Sequence, residues 1–181
     1  MQFKIVRAVP ADVQELNHIM ETVTAHMEKA EWFISDDMAY IKQHIGNVPL
    51  AKEDSGFILK AVVKEQDTER IAGFFMADFP GVTERNLGTY LQMPGTELEL
   101  VAHMDSVVIL PEYRGHGLQC RFIEAAEAII ERETDYRILL ATVHPDNRYS
   151  LRNVVDKGYQ VAAEIVKSGV YRRYILKKEI A

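Results

Sequence analysis

The chain has one cysteine, Cys120, among 181 residues, which excludes an internal disulfide and leaves apolar packing to hold the fold. The lone thiol fits a reducing compartment. With no base beside it in sequence it reads as a small packed residue and not as a nucleophile. Long apolar runs are missing too: no stretch approaches ~20 consecutive apolar residues. The opening Met1-Gln2-Phe3-Lys4-Ile5-Val6-Arg7 enters a strand pattern directly, without the charged-then-apolar pattern of a signal peptide. A cytoplasmic protein with no membrane partner is expected. Basic charge is in deficit, with 21 Lys and Arg against 27 Asp and Glu for a net charge of −6. Nothing here offers the basic stripe that nucleic-acid phosphates require, and the balance suits a cationic or neutral small partner. The six histidines include no His-x-x-x-His pair and cysteine forms no cluster, so no metal site is expected.

A composition of 48% hydrophobic and 27% charged residues is that of one ordinary globular domain spanning residues 1–181. The stretch Met104 to Arg132 organises it. Val107 to Leu110 is an apolar, β-branched run stopped by Pro111, as in a strand buried on both faces. From Leu118, the residues Phe122, Ala126, Ile129 and Ile130 recur at helical spacing, with Glu124, Glu127, Glu131 and Arg132 between them. In the connecting turn Arg114-Gly115-His116-Gly117, the glycines leave backbone N–H groups open at a helix N-terminus, a place that favours phosphate. The same glycines also suit a purely structural turn. A Gly-Lys-[Ser/Thr] closure and a third dinucleotide-type glycine are both absent.

In chain order, Phe3 to Val9 reads as a strand, Pro10 to Met27 as an amphipathic helix, and Ser35-Asp36-Asp37 as the cap of a second helix running to His44. Gly56–Lys64 and Arg70–Phe79 form a hairpin joined by Glu65–Glu69, followed by a long loop from Pro80 to Thr96. Glu97 to Leu110 reads as one strand whose alternation puts His103 and Asp105 on the same face. After the central helix come a buried strand at Tyr136–Val143, a helix capped near Asn147, and a hairpin of Tyr159–Val166 and Tyr171–Leu176 around Lys167-Ser168-Gly169.

Pro111-Glu112-Tyr113-Arg114-Gly115-His116-Gly117-Leu118-Gln119 resembles the acetyl-CoA-binding motif of the GNAT superfamily of N-acetyltransferases, Arg/Gln-x-x-Gly-x-Gly/Ala at the start of a central helix. Arg114 and Gly117 match, and Gln119 departs at the last small position. Asn147, Ser150 and Gly158-Tyr159 resemble a second family segment, Asn-x-x-Ala ending in Gly-Phe/Tyr. The order β-α-α-β-β-β-α-β-α-β-β is the family's own. The resemblance implies an α/β GNAT fold, a mixed central sheet of about seven strands flanked by about four helices. It implies acetyl-CoA as co-substrate and direct attack by a primary amine of a small molecule or peptide in a ternary complex. A homodimer is compatible with it.

The resemblance assigns the pantetheine arm to Val107, Val108 and Ile109, and the pyrophosphate to Arg114, Gly115, His116, Gly117, Leu118 and Gln119. Asn147 would contact the pantetheine arm and Arg152 a phosphate, although an exposed helix arginine commonly meets only water. The junction of the first two helices overhangs the acceptor site, so Glu28, Glu31 and Trp32 become substrate candidates, with Tyr90 in the long loop as a second wall. Trp32 can equally be packing, and the acids solvated. His103 or Asp105 is the candidate base, His103 standing where some members carry a catalytic glutamate. The bland alternative ties the pair into a polar seam of the sheet. The family's tyrosine acid is replaced by Val154, leaving Tyr149, Tyr159 or solvent as proton source. That replacement and Gln119 motivate a rival reading, a non-catalytic acyl-CoA-binding module of the same fold.

Overall fold

Two long strands made mostly of apolar residues, β2 (Gly56–Glu65) and β3 (Thr68–Asp78), form the heart of the sheet in a computed structural model that describes residues 1–167 and 169–181. Around them lie β1 (Phe3–Arg7), β4 (Val101–Ile109), β5 (Ile138–Val143), β6 (Gln160–Lys167) and β7 (Tyr171–Glu179), in the order β1-β2-β3-β4-β5-β7-β6. Every neighbouring pair is antiparallel except β4 and β5. The β2–β3 connection is tighter than its polar sequence suggests. Glu65 pairs with Thr68, and the turn is only Gln66-Asp67, with Gln66 taking the positive φ (+56°) that a two-residue hairpin needs. Ser168 in the last hairpin lies outside the described residues.

Both faces of the sheet are covered, which is why its central strands are apolar at successive positions. On one face α1 (Val13–Ala25) and α2 (Met38–Gln43) set Leu16, Ile19, Met20 and Ile41 on Ile58, Phe74, Met76 and Val108. On the other, α4 (Leu118–Glu133) sets Leu118, Phe122, Ala126 and Ile130 on Phe57, Leu59, Phe75 and Leu139, with α5 (Arg148–Asp156) beside it contributing Val154. Phe74 and Phe75, adjacent in sequence, are both fully buried on opposite faces, each worth roughly 2–3 kcal/mol of apolar burial. No helix among the described residues is long and apolar enough to cross a membrane.

Two expectations are corrected. The segment Pro80–Thr96 is not irregular throughout: a 3-10 turn forms at Leu87–Leu91, and a short helix, α3 (Gly95–Leu98), occupies what read as the start of a strand. Buried Asn86 organises the loop, accepting from the Gly88 N–H (2.9 Å) and donating to the carbonyls of Gly81 (2.7 Å) and Leu98 (3.1 Å). Pro94 then enters α3 at its N-cap, with Glu97 in the first turn where the helix dipole favours an acid.

The second correction concerns β4. Met76 pairs with Ser106 but Ala77 pairs with Met104, so Asp105 is an extra residue with no partner on β3. This bulge reverses the alternation. Before it, Val101 and His103 face away from α4; after it Val107 and Ile109 pack on the α4 side while Val108 packs toward α1. The uninterrupted alternation expected from Val101 to Ile109 therefore does not hold. β4 and β5 pair only over Val101–His103 and Ile138–Leu140, after which the strands go unpaired to each other.

Candidate active site

Where β4 and β5 part, a cleft of about 750 Å³ opens. Met104, Asp105, Val107 and Ile109 line it from β4, and Ala141, Thr142 and Val143 from β5. One end is the first turn of α4. Gly115 (φ +80°) and Gly117 (φ +69°) adopt left-handed conformations there, and a methyl group added to either would meet nothing within 4 Å. The α4 N-terminus has no side-chain cap, and its first intrahelical bond is from Arg121 N–H to the Gly117 carbonyl (3.2 Å). Among the described residues no protein acceptor meets the N–H groups from Gly115 to Cys120. Six consecutive donors at a helix N-terminus make an anion site without any lysine.

The candidate residues separate clearly. Arg114, Gly115, Gly117, Leu118, Gln119, Asn147 and Tyr149 line the cleft, as do Val107 and Ile109. The Val108 side chain lies on the opposite face of the sheet. His116 turns away to pack on Phe3, ring centroids 5.3 Å apart. Arg152 leaves the cleft for Asp156 (3.6 Å), its side chain 83% exposed. Gln119 does not crowd the phosphate turn: its amide donates to Ser150 Oγ (2.9 Å) and accepts from Asn153 Nδ2 (2.8 Å), tying α4 to α5. Asn147 caps α5, its Oδ1 accepting from Ser150 N–H (3.2 Å). Val154 is buried at the cleft wall.

At the other end, the segment after α1 overhangs the opening and brings Glu28 and Trp32 to it, with Lys29 Nζ 4.8 Å above the indole ring. Glu31 and Tyr90 do not line the cleft; Tyr90 sits half-exposed on the 3-10 turn.

His103 and Asp105, expected side by side, have different surroundings. His103 is buried off the cleft. Its Nε2 accepts from Leu87 N–H (3.0 Å), which leaves one ring proton, on Nδ1, donated to Asp78 Oδ2 (3.1 Å). It is a neutral imidazole, with burial lowering its proton affinity. The other Asp78 oxygen accepts from His44 Nε2 (3.0 Å) and from Arg85 (3.3 Å). His44 also faces the Tyr40 carbonyl through Nδ1 (2.8 Å). Two acceptors require two protons, so His44 is the cation of the pair. Burial opposes its charge, but the bonds to Asp78 and Tyr40 outweigh it and raise its pKa. Burial likewise opposes ionisation of Asp78, and His103, His44 and Arg85 overcome it to hold that carboxyl well below the usual range.

Asp105, by contrast, is partly open to the cleft and among the described residues has one side-chain hydrogen bond, from the Tyr40 hydroxyl at 3.3 Å. Burial, then the nearby charges of Asp36 and Asp78, push its pKa up to about 7. Tyr40, His44, Asp78, Arg85 and Asp36 were not singled out by sequence. Asp78 alone carried a signal, a charge closing the apolar run from Ile71 to Ala77.

The sequence of residues 18–154 matches the model of the Acetyltransferase (GNAT) family. The chain belongs to this family. It also superposes on solved structures over almost its whole length. The acetyltransferase of GNAT family from Streptococcus pneumoniae is 19% identical, with 99% of this chain and 100% of that chain covered and a TM-score of 0.68. The Salmonella typhimurium protein yncA, solved with its cofactor acetyl-CoA, is 15% identical, with 100% and 95% covered and a TM-score of 0.69. Ribosomal-protein-alanine N-acetyltransferase from Brucella melitensis is 17% identical, with 98% and 99% covered and a TM-score of 0.66. At these identities the likeness is one of fold. No curated protein matches the chain in sequence.

The chain thus belongs to a family of acetyltransferases. The residues present fit acetyl-CoA, the molecule bound in the Salmonella typhimurium protein. The open N–H groups at the start of α4 match a pyrophosphate, and the two glycines leave it room. Beyond His103 the β5-facing edge of β4 has no ladder partner among the described residues, so its backbone is free to hold an amide-bearing arm. Among the described residues no group of three or more His, Cys, Asp or Glu side chains is arranged to hold a metal ion.

Proposed function

We propose that the chain is a single-domain, cytoplasmic N-acetyltransferase that acetylates a primary amine with Asp105 as general base. The observation that carries this reading is the bulge, which takes Asp105 off the β3–β4 ladder and into the cleft, where among the described residues only Tyr40 bonds it. A carboxylate that titrates near neutrality can strip a proton from an ammonium and hold it. Bound acetyl-CoA would supply the thioester: the neutral amine would bond to the acetyl carbon, the nitrogen would lose its second proton to solvent, and the carbon–sulfur bond would break with departure of the thiolate. The N–H groups from Gly115 to Gln119 hold the phosphates, with Arg114 beside them; the backbone of Val107, Val108 and Ile109 and the side chain of Asn147 align the arm. Glu28 and Trp32 border the acceptor's entry. Tyr149, exposed at the cleft, or solvent returns a proton to the thiolate. His103 supports the fold around the base instead of acting as one, since both its nitrogens are engaged.

Thermal melts with and without acetyl-CoA, run beside a free-thiol assay over polyamines, aminoglycosides, amino acids and short peptides, test the reading. A ligand that binds only the folded state raises the melting point. Stabilisation with thiol release identifies the acceptor class, and stabilisation lost together with release in Asp105→Asn would point away from a base and toward a binding defect.

A further inference from the structure

Three buried groups near Asp105, namely His44, Asp78 and His103, do not line the cleft. Asp78 sits between two histidines, His44 Nε2 at 3.0 Å and His103 Nδ1 at 3.1 Å, and is almost wholly out of solvent. One residue links this cluster to the cleft. The backbone of Tyr40 is pinned at both ends, its N–H by Asp37 Oδ1 (2.8 Å) and its carbonyl by His44 Nδ1 (2.8 Å). Its ring lies over the His44 imidazole with centroids 4.1 Å apart. Arg85, bonded to Asp78, stands beside the Tyr40 hydroxyl as well. Four constraints on one short helix fix the position of a single hydroxyl, and that hydroxyl meets Asp105.

Resting on the assignment of Asp105 as base, we infer that Tyr40, His44 and Asp78 form a positioning relay for it. Asp78 holds His44 as the imidazolium, His44 holds the Tyr40 backbone and ring, and the Tyr40 hydroxyl aims the Asp105 carboxylate into the cleft and favours its ionised form. Tyr40 touches neither reacting partner, so it is a positioning residue. It is also the sole hydrogen-bond donor to Asp105 among the described residues.

The electrostatics have opposing signs. Asp36, from the α1–α2 connection and bonded to Ser106 Oγ (3.0 Å), and Asp78, from β3, oppose ionisation of Asp105. His44, the C-cap of α2, and Lys167, at the end of β6, favour it. Tyr40 favours it through its O–H, while His103, on β4 itself, is neutral and Arg85 acts on Tyr40 and Asp78. Removing Tyr40's hydroxyl and removing Asp36's charge must therefore move Asp105 in opposite directions.

The test is a carbon-13 titration of full-length protein labelled at the aspartate side-chain carboxyl carbons, with the Asp105 signal assigned by its loss in Asp105→Asn. Wild type should titrate near neutrality. Tyr40→Phe, which keeps the ring on His44, should raise the midpoint by about one pH unit, and Asp36→Asn should lower it by about the same. With the best acceptor from the amine panel, Tyr40→Phe should lose about fivefold in kcat near pH 7, regain most of it by about pH 9, and leave the acetyl-CoA KM unchanged. An Asp105 signal titrating in the ordinary carboxylate range, or moving the same way in both variants, overturns the relay. Full thiol release by Asp105→Asn removes the base assignment beneath it, a failure separate from the carbon titration.

Discussion

Replacing Asp105 with asparagine should make the protein less active and more stable, with a stability gain that depends on pH. In the folded chain the carboxyl keeps its proton to about pH 7, against an ordinary value of 3.8. Between those values the native state binds a proton that the unfolded chain has released. Stability therefore falls as pH rises through that window, and above about pH 7 the whole difference is lost. A shift of about three units corresponds to ~4 kcal/mol. Asp105 is partly open to the cleft, and relaxation around the charge reduces the effect further, so roughly 2 kcal/mol is expected. Asparagine nearly matches the shape, still accepts from Tyr40, and has no proton to lose. For a domain of 181 residues, that gain is about 4–8 °C in melting temperature. Melts of both proteins from about pH 4 to about pH 8.5 measure it: the variant should lead at the alkaline end and the two should converge at the acid end. Thiol release should fall on the order of 100-fold or more. A gap that does not change with pH, or a variant that melts lower at about pH 8, would refute the reasoning.

Gly117→Glu places a carboxylate against the phosphates and should weaken CoA binding on the order of 100-fold, read by isothermal titration; unchanged affinity removes the α4 turn as the phosphate site. Gln119→Ala severs the bonds to Ser150 and Asn153 and should cost ~1–2 kcal/mol in urea unfolding, with CoA affinity unaltered because the side chain does not reach the phosphate turn. Gly73→Ala puts a methyl group 2.4 Å from the Val108 carbonyl oxygen and 2.9 Å from Ile109 Cα, so β3 and β4 must separate at a cost of about 3 kcal/mol. Asp78→Asn leaves the His44 cation buried without its counter-charge and should cost about 3–5 kcal/mol in the same measurement.

The glycine turn before α4 is legible in sequence because its features are local: a strand stop at Pro111, two glycines and an amphipathic run fall within about twenty residues, and its backbone N–H groups are open in the fold. The strands of the centre and the two long helices are legible for a similar reason, since each buries a face that its own periodicity marks. The bulge leaves no such mark. Val107 to Leu110 is apolar at every position, so either register satisfies the core, and an inserted residue at Asp105 shifts every following side chain to the opposite face without disturbing the pattern. His103 and Asp105 therefore read as neighbours on one face although only one reaches the cleft. The start of β4 is not legible for a different reason: Glu97 and Leu98 alternate like a strand, but Pro94 and Gly95 open a helical turn that the buried Asn86 holds in place.

The polar cluster around Asp105 is hidden in sequence because the contacts that join it to β3 and β4 are not local. Tyr40 and Asp105 are 65 residues apart, Asp36 and Ser106 are 70 apart, and the two histidines reach Asp78 across 34 and 25 residues. Each residue alone has an ordinary explanation: His44 as a helix end, Asp36 as part of a cap, Tyr40 as an exposed helix aromatic. Only strand register converts them into one device. Because β4 carries one residue too many against β3, His103 stays paired with Asp78 in the interior while the next acid is released toward the cleft. A single insertion thus separates two polar residues into a neutral, fully bonded support and a sparsely bonded carboxylate. The environment of each follows from the bulge, and the pKa difference follows from the environment.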